Sequence, residues 1–207
     1  MKKRSFILTV LLPVLCFSMV ACDKSSDSKP SSKDKPSLIA KSQEVAPHQD
    51  KRLAFENIHI ASADQEFKGG SSIEDLTNLF GSPSKHEKKP AGNVTLDHYT
   101  WTFDKVTIQA NMYQNSTIVK SIANFAFNRK PKISLKDYNK LQKGMTYNQV
   151  TRILTEPDDY THASSSDKIQ RQAVWISGLK ANAQGSHINL LFENDKLIQL
   201  SQRGLLK

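Results

Sequence analysis

The sequence predicts an α+β fold built as two tandem modules, each with two short helices packed on a three- to four-stranded antiparallel sheet. Three observations predict it. A shift of 74 residues aligns the two halves of the region after about residue 50: Gly70 meets Gly144, Thr77 meets Thr151, Pro83 meets Pro157, and Trp101 meets Trp175. Each half carries a helix-start pattern, Ser72 with Asp75 and Thr146 with Gln149. Each also ends in alternating apolar and polar residues of β type.

The elements follow in order. Leu135 to Gln142 reads as a first helix capped by Ser134, with Asp137 three residues on, and Gly70 or Gly144 reads as the stop of the first helix in each half. The second helix starts after Ser72 or Thr146; Val150, Ile153 and Leu154 share one face of it, and Pro83 or Pro157 marks its end. Strands are expected at His98 to Phe103, Val106 to Tyr113 and Thr117 to Phe127, with Asn115-Ser116 as a turn. In the second half they fall at Ala173 to Ser177, His187 to Glu193 and Lys196 to Gln202, around Asn194-Asp195. The alternation in Val106 to Met112 has the opposite parity to that in Ile188 to Phe192 under the alignment, which one residue of slip or a bulge reconciles.

The amino terminus is an address. Lys2, Lys3 and Arg4 precede an uncharged apolar run from Phe6 to Val20, the pattern of an export signal. That run is short for a membrane span, which needs roughly 20 apolar residues. It ends in Met19-Val20-Ala21-Cys22, which resembles a lipobox. The expected organisation is a signal peptide over 1–21, a Ser/Lys/Pro tether over 22–50 with Cys22 acylated, a first module over 51–130 and a second over 131–207. The tether is too polar to bury a core and reads as disordered, with an end-to-end distance of roughly 30 Å. Only Cys16 and Cys22 exist, so the modules have no thiol chemistry and no disulfide.

The formal net charge is +9, from 29 basic and 20 acidic residues. Removing the three charges of the signal leaves an excess scattered over the region from Lys51 onward, without a dense run. Such a surface suits anionic lipid or wall polymers, and nucleic acid is not an expected partner outside the cell.

The second half, in Leu141-Gln-Lys-Gly144-Met145-Thr146-Tyr147-Asn-Gln149-Val150, Pro157, Trp175 and the ending Leu197-Ile-Gln-Leu-Ser201-Gln202-Arg-Gly204-Leu205, resembles a family of Gram-positive lipoproteins of undefined function. That family is similar to the tandem-repeat beta-lactamase inhibitory protein and to the SmpA/OmlA (BamE-like) assembly lipoproteins. The resemblance covers about residues 134–207 well and 56–127 faintly. It implies a helix-helix-sheet fold displayed on the outer side of a cell membrane. The secreted inhibitor has disulfides, absent here, and no inhibitory site carries over residue by residue.

No chemistry stands out. His48, His59, His86, His98, His162 and His187 lack metal-ligand spacing, and no nucleophile or phosphate-loop motif occurs, so no metal, cofactor or catalytic residue is expected. Asp158-Asp159 reads as a solvated turn. Trp101 and Trp175 are either core residues or exposed anchors of a binding face, and Tyr99 and Tyr113 are candidates of the same kind. The functional expectation is a non-enzymatic, lipid-anchored protein-binding or scaffold module with an unknown extracellular partner. An inhibitor or immunity-type protein against an extracellular hydrolase such as a beta-lactamase is the second reading, and an envelope-assembly factor the third.

Overall fold

A computed structural model describes residues 45–207. The export signal, the tether and Cys22 lie outside the described residues. Among the described residues, four α-helices, α1 (Gln49–Glu56), α2 (Ile73–Phe80), α3 (Leu135–Tyr138) and α4 (Tyr147–Leu154), and a 3-10 turn at Ala63–Gln65 accompany eight strands. The strands are β1 (Lys85–Ala91), β2 (Val94–Phe103), β3 (Val106–Tyr113), β4 (Ser116–Ala123), β5 (Asp159–Ser164), β6 (Ile169–Trp175), β7 (His187–Glu193) and β8 (Lys196–Arg203).

All eight strands form a single antiparallel sheet in chain order, which overturns the expectation of two tandem helix-on-sheet modules. The joint is β4 against β5, where Val119 to Ile122 pair with Ala163 back to Tyr160. One hydrophobic core then runs from Phe55, Trp101 and Ile108 through Ile122 and Tyr160 to Trp175, Leu190 and Phe192. The physical reason is specific. β5, the strand that fuses the halves, sits where the sequence shows Asp-Asp-Tyr-Thr-His after a proline and reads as a turn. Tyr160, Ala163 and Ser164 are nevertheless buried on it. A β edge left unpaired is a liability, and pairing two such edges makes one sheet.

Local chemistry explains the helices. Ser72 accepts from the Asp75 N–H and Asp75 from the Ser72 N–H, at 3.1 and 2.8 Å; Thr146 and Gln149 exchange the same pair at 3.2 and 2.9 Å. Leu76 and Phe80 of α2 and Val150 and Leu154 of α4 are buried beneath these caps. The α3 helix is shorter than the sequence suggests and ends at Tyr138. Gly70 ends no helix: it lies against β4, where a Cβ would stand 2.4 Å from the Thr117 carbonyl oxygen, so only glycine fits. The hairpin turns fall at Gln114-Asn115 and Asn194-Asp195, all four at positive φ as tight two-residue turns require. Both β3–β4 and β7–β8 carry a register shift, between Asn111 and Met112 and between Leu191 and Phe192. β1 was not expected. Its sequence, Lys-His-Glu-Lys-Lys-Pro-Ala, is charged and holds a proline, which suits an edge strand.

Asp158 is the second local surprise. It is fully buried rather than part of a solvated turn. Its carboxylate accepts from the Phe127, Ile176 and Ser177 N–H groups at 3.0, 2.7 and 2.8 Å, from the Ser177 hydroxyl at 2.7 Å, and from Arg129 at 2.7 Å. Arg129 donates also to the Glu156 and Ser177 carbonyls and to the Thr155 hydroxyl. This knot ties the segment after β4 to the ends of β5 and β6.

Candidate protein-binding face

Strand register separates the sheet into two rows that cross every strand. One row reads His86, Tyr99, Ala110, Lys120, His162, Arg171, Phe192, Leu197 and lies on the side packed by the helices. Its neighbour, one residue along and so on the opposite side, reads Lys85, Thr100, Gln109, Ser121, Thr161, Gln172, Leu191, Gln199.

On the helix side, Trp101 and Trp175 are about 1 % and 0 % exposed. Each indole N–H donates to a main-chain carbonyl at the end of a helix, Trp101 to Gly81 at 2.8 Å and Trp175 to Thr155 at 3.3 Å. Both are core residues, so neither is open to a partner. Tyr99 is half-buried on this side, stacked on His86 with ring centroids 4.3 Å apart and tilted toward Trp101.

The centre of the helix side holds a row of basic side chains that the sequence did not reveal, because its members come from three strands. Lys120, His162 and Arg171 are direct cross-strand neighbours. The Lys120 ammonium donates to the Phe55 and Ile58 carbonyls at 3.2 and 3.0 Å, at the end of α1, and lies 4.8 Å above the Phe55 ring. Burial lowers its pKa to about 8. Burial, with Arg171 and Lys120 alongside, holds His162 down at about 3, so its ring is neutral at ordinary pH. Arg52 of α1 is buried nearby, paired to Glu56 and 3.6 Å from Glu156, which also accepts from the Tyr147 hydroxyl at 2.7 Å. These groups fasten helices to sheet.

The opposite side is different. Among the described residues, only one end of it is covered: the segment after α1 brings Ala61 and Phe67 over Leu96, Ile118 and Tyr113, with the Phe67 and Tyr113 rings edge to face at 6.4 Å. Between that cluster and β8, the row from Thr100 to Gln199 carries no charged side chain. Thr100, Gln109, Ser121, Thr161 and Leu191 are half-buried and Gln172 is exposed. Hydrogen bonds run along this face rather than into a core: Ser121 to Gln109 at 3.5 Å, and Gln172 to Asn189 at 3.3 Å. Asp159 at its margin accepts from the Asn124 N–H at 2.7 Å, and burial beside Asp158 raises its pKa to about 6. Tyr113 belongs to this face and Tyr99 to the other, so the two tyrosines do not form one surface. Charged groups stand at the edges, in Lys85 and Glu87 on β1 and Arg203 on β8.

The arrangement offers hydrogen-bonding side chains held by backbone pairing on both flanks and few charges to desolvate. Such a strip suits a protein partner, because charges are depleted from the centres of protein interfaces. Among the described residues, no group of three or more histidine, cysteine or carboxylate side chains is placed to hold a metal ion, and no helix is long and apolar enough to cross a membrane.

A family of domains of unknown function, DUF3862, matches residues 47–205. The chain belongs to the DUF3862 family. No curated protein matches it. Among solved structures, this DUF3862 chain is similar to one from Streptococcus mutans, determined at 1.40 Å and described as a "putative beta-lactamase inhibitor protein". The two are 42 % identical with a TM-score of 0.73, over 77 % of this chain and 99 % of that one.

Proposed function

We propose that this DUF3862 protein is a lipid-anchored, extracytoplasmic inhibitor-type protein that grips an extracellular enzyme with the uncovered face of its sheet. The observation that carries the reading is the uncharged strip from Thr100 to Gln199, which crosses seven strands on the side the helices leave free. The likeness to the Streptococcus mutans protein supports the inhibitor class over a general scaffold. A beta-lactamase is the first enzyme to try. Export and acylation at Cys22 would place the face outside the cell, where such an enzyme meets it.

The role needs no catalytic group. A rigid sheet presenting amides and hydroxyls pairs with the main chain and polar side chains of an enzyme loop at low entropic cost, since its own side chains are already ordered. Tyr113, at the covered end of the strip, supplies the aromatic contact that often anchors an interface.

Titrating the purified protein into a panel of beta-lactamases, with hydrolysis of a chromogenic substrate as the readout, tests the reading. Stoichiometric inhibition of at least one enzyme, abolished by Thr161→Arg with Gln172→Arg, is expected. Full enzyme activity across the panel at saturating protein contradicts it.

A further inference from the structure

The fold gathers positive charge on one flank, by bringing two distant lysines to a lysine-rich stretch of the chain. The described residues hold 21 lysines and arginines against 16 carboxylates. Lys130, Lys132, Lys136, Lys140 and Lys143 lie around α3, and all are exposed. Backbone hydrogen bonds bring two more to the same place. The Lys180 N–H donates to the Ile133 carbonyl at 2.7 Å, the Leu206 N–H to Lys180 at 2.8 Å, and the Leu135 N–H to Leu206 at 2.7 Å, so Lys180 and Lys207 stand beside Lys132 and Lys136. From there the chain runs along β8 until Gly144 and Met145 pair with Leu197. The only carboxylate among these seven lysines is Asp137, already bonded to Ser134 and Lys140. Apart from this flank, the described residues hold 14 basic against 15 acidic side chains, so the flank carries the whole excess.

Large apolar side chains accompany the lysines. Leu206, beside Lys207, is 37 % exposed, and Ile198 of β8, next to the Leu197 that pairs with Gly144 and Met145, is 38 % exposed. α3 packs through Leu135 and Tyr138 on the helix side of the core, so the flank is separate from the uncharged sheet face.

We propose that this flank docks on an anionic phospholipid surface, with the lysines against the headgroup phosphates and Leu206 and Ile198 at the boundary. Charge complementarity selects the occupant: lysine ammonium groups on one side, without a matching fork of arginines, suit a diffuse sheet of phosphates better than a single bound anion. Docked this way, the molecule keeps the strip from Thr100 to Gln199 free. The inference does not rest on the inhibitor reading or on Cys22.

The test uses residues 45–207, which belong to one compact unit; the 42 % identical relative, crystallised, is matched over 99 % of its own chain by 77 % of this one. The fragment is sedimented with vesicles of phosphatidylcholine alone and of phosphatidylcholine with phosphatidylglycerol. Binding only to the second, lost at high salt, is expected, because a surface-bound lysine is worth about fivefold in affinity. Lys132→Gln, Lys136→Gln, Lys143→Gln and Lys180→Gln together should lower binding at least about tenfold with an unchanged circular-dichroism melt. The matching variant of the other edge, Lys85→Gln with Lys88→Gln and Lys89→Gln, should bind as the parent does. Equal sedimentation with both vesicles, equal loss in both variants, or binding to soluble polyphosphate without binding to vesicles would each overturn the proposal.

Discussion

Arg129 and Asp158 meet at 2.7 Å with their side chains about 4 % and 0 % exposed, and between them they bond to five neighbouring residues. Burial pulls the guanidinium pKa down while the carboxylate pulls it back up. A buried pair of this kind is costly to break, because the surviving partner is left charged and dry. Asp158→Ala should therefore destabilise the fold by about 3–5 kcal/mol. The replacement of both, Arg129→Met with Asp158→Leu, should cost less than the sum of the single changes. Urea unfolding of the three variants measures this, and additive losses would show that the pair acts as two independent groups.

That pair marks the boundary of what was legible in the sequence. Capping residues, the apolar stripes of α2 and α4 and the hairpins around Asn115 and Asn194 are local, and each was readable from its own few residues. The single sheet was not, because it depends on β5, whose six residues put a histidine beside Tyr160 on the core side and Ala163 beside Asp159 and Thr161 on the other, so no apolar alternation marks the strand. The two tryptophans were visible as special, but which side of the sheet they face follows from register. The binding face was equally hidden. A row drawn from Thr100, Gln109, Ser121, Thr161 and Gln172 is uncharged only as a row, and none of its members is unusual alone.

Tyr99 and Tyr113 should separate stability from recognition. Tyr99→Ala removes a ring packed on His86 and Trp101 and should lower the melting temperature without altering capture of a partner. Tyr113→Ala should weaken capture by more than about tenfold if the tyrosine is an interface anchor. A binding assay beside a thermal melt for each variant reads both effects, and the reverse assignment would place the interface on the helix side.

Lys120 and His162, buried in the helix side, predict a pH dependence. His162 has a folded pKa near 3, below its unfolded value of 6.5, so the unfolded chain binds the extra proton and stability falls as pH drops from 6.5 toward 3. Lys120 has a folded pKa of about 8 against 10.5 unfolded, so stability rises with pH between those values. Each group contributes a slope of at most about 1.4 kcal/mol per pH unit. His162→Phe should flatten the acid limb, in which Asp159, raised to about 6, contributes with the opposite sign. Lys120→Met should flatten the alkaline limb. Chemical denaturation from pH 4 to pH 10 tests both, and unchanged slopes would mean that these groups ionise alike in the folded and unfolded chains.

Cys22 should decide where the protein resides. Cys22→Ala should release it to the medium or leave it unprocessed, because acylation is the proposed anchor. Fractionation with and without a salt wash separates the anchor from the lysine flank. Retention of the variant on membranes after the wash would remove the lipid from the account.

The uncovered face is the central claim, and a binding constant tests it most directly. Calorimetric titration of an enzyme that the protein inhibits would compare the parent with Thr161→Arg plus Gln172→Arg and with Lys132→Gln plus Lys136→Gln. Two arginines placed in an uncharged strip meet a partner surface with no matching charge, so the first variant should lose at least about a hundredfold in affinity, while the lysine-flank variant keeps the parent Kd. Equal affinities for all three proteins, each with an unchanged melting temperature, would contradict the account and move the interface off this face.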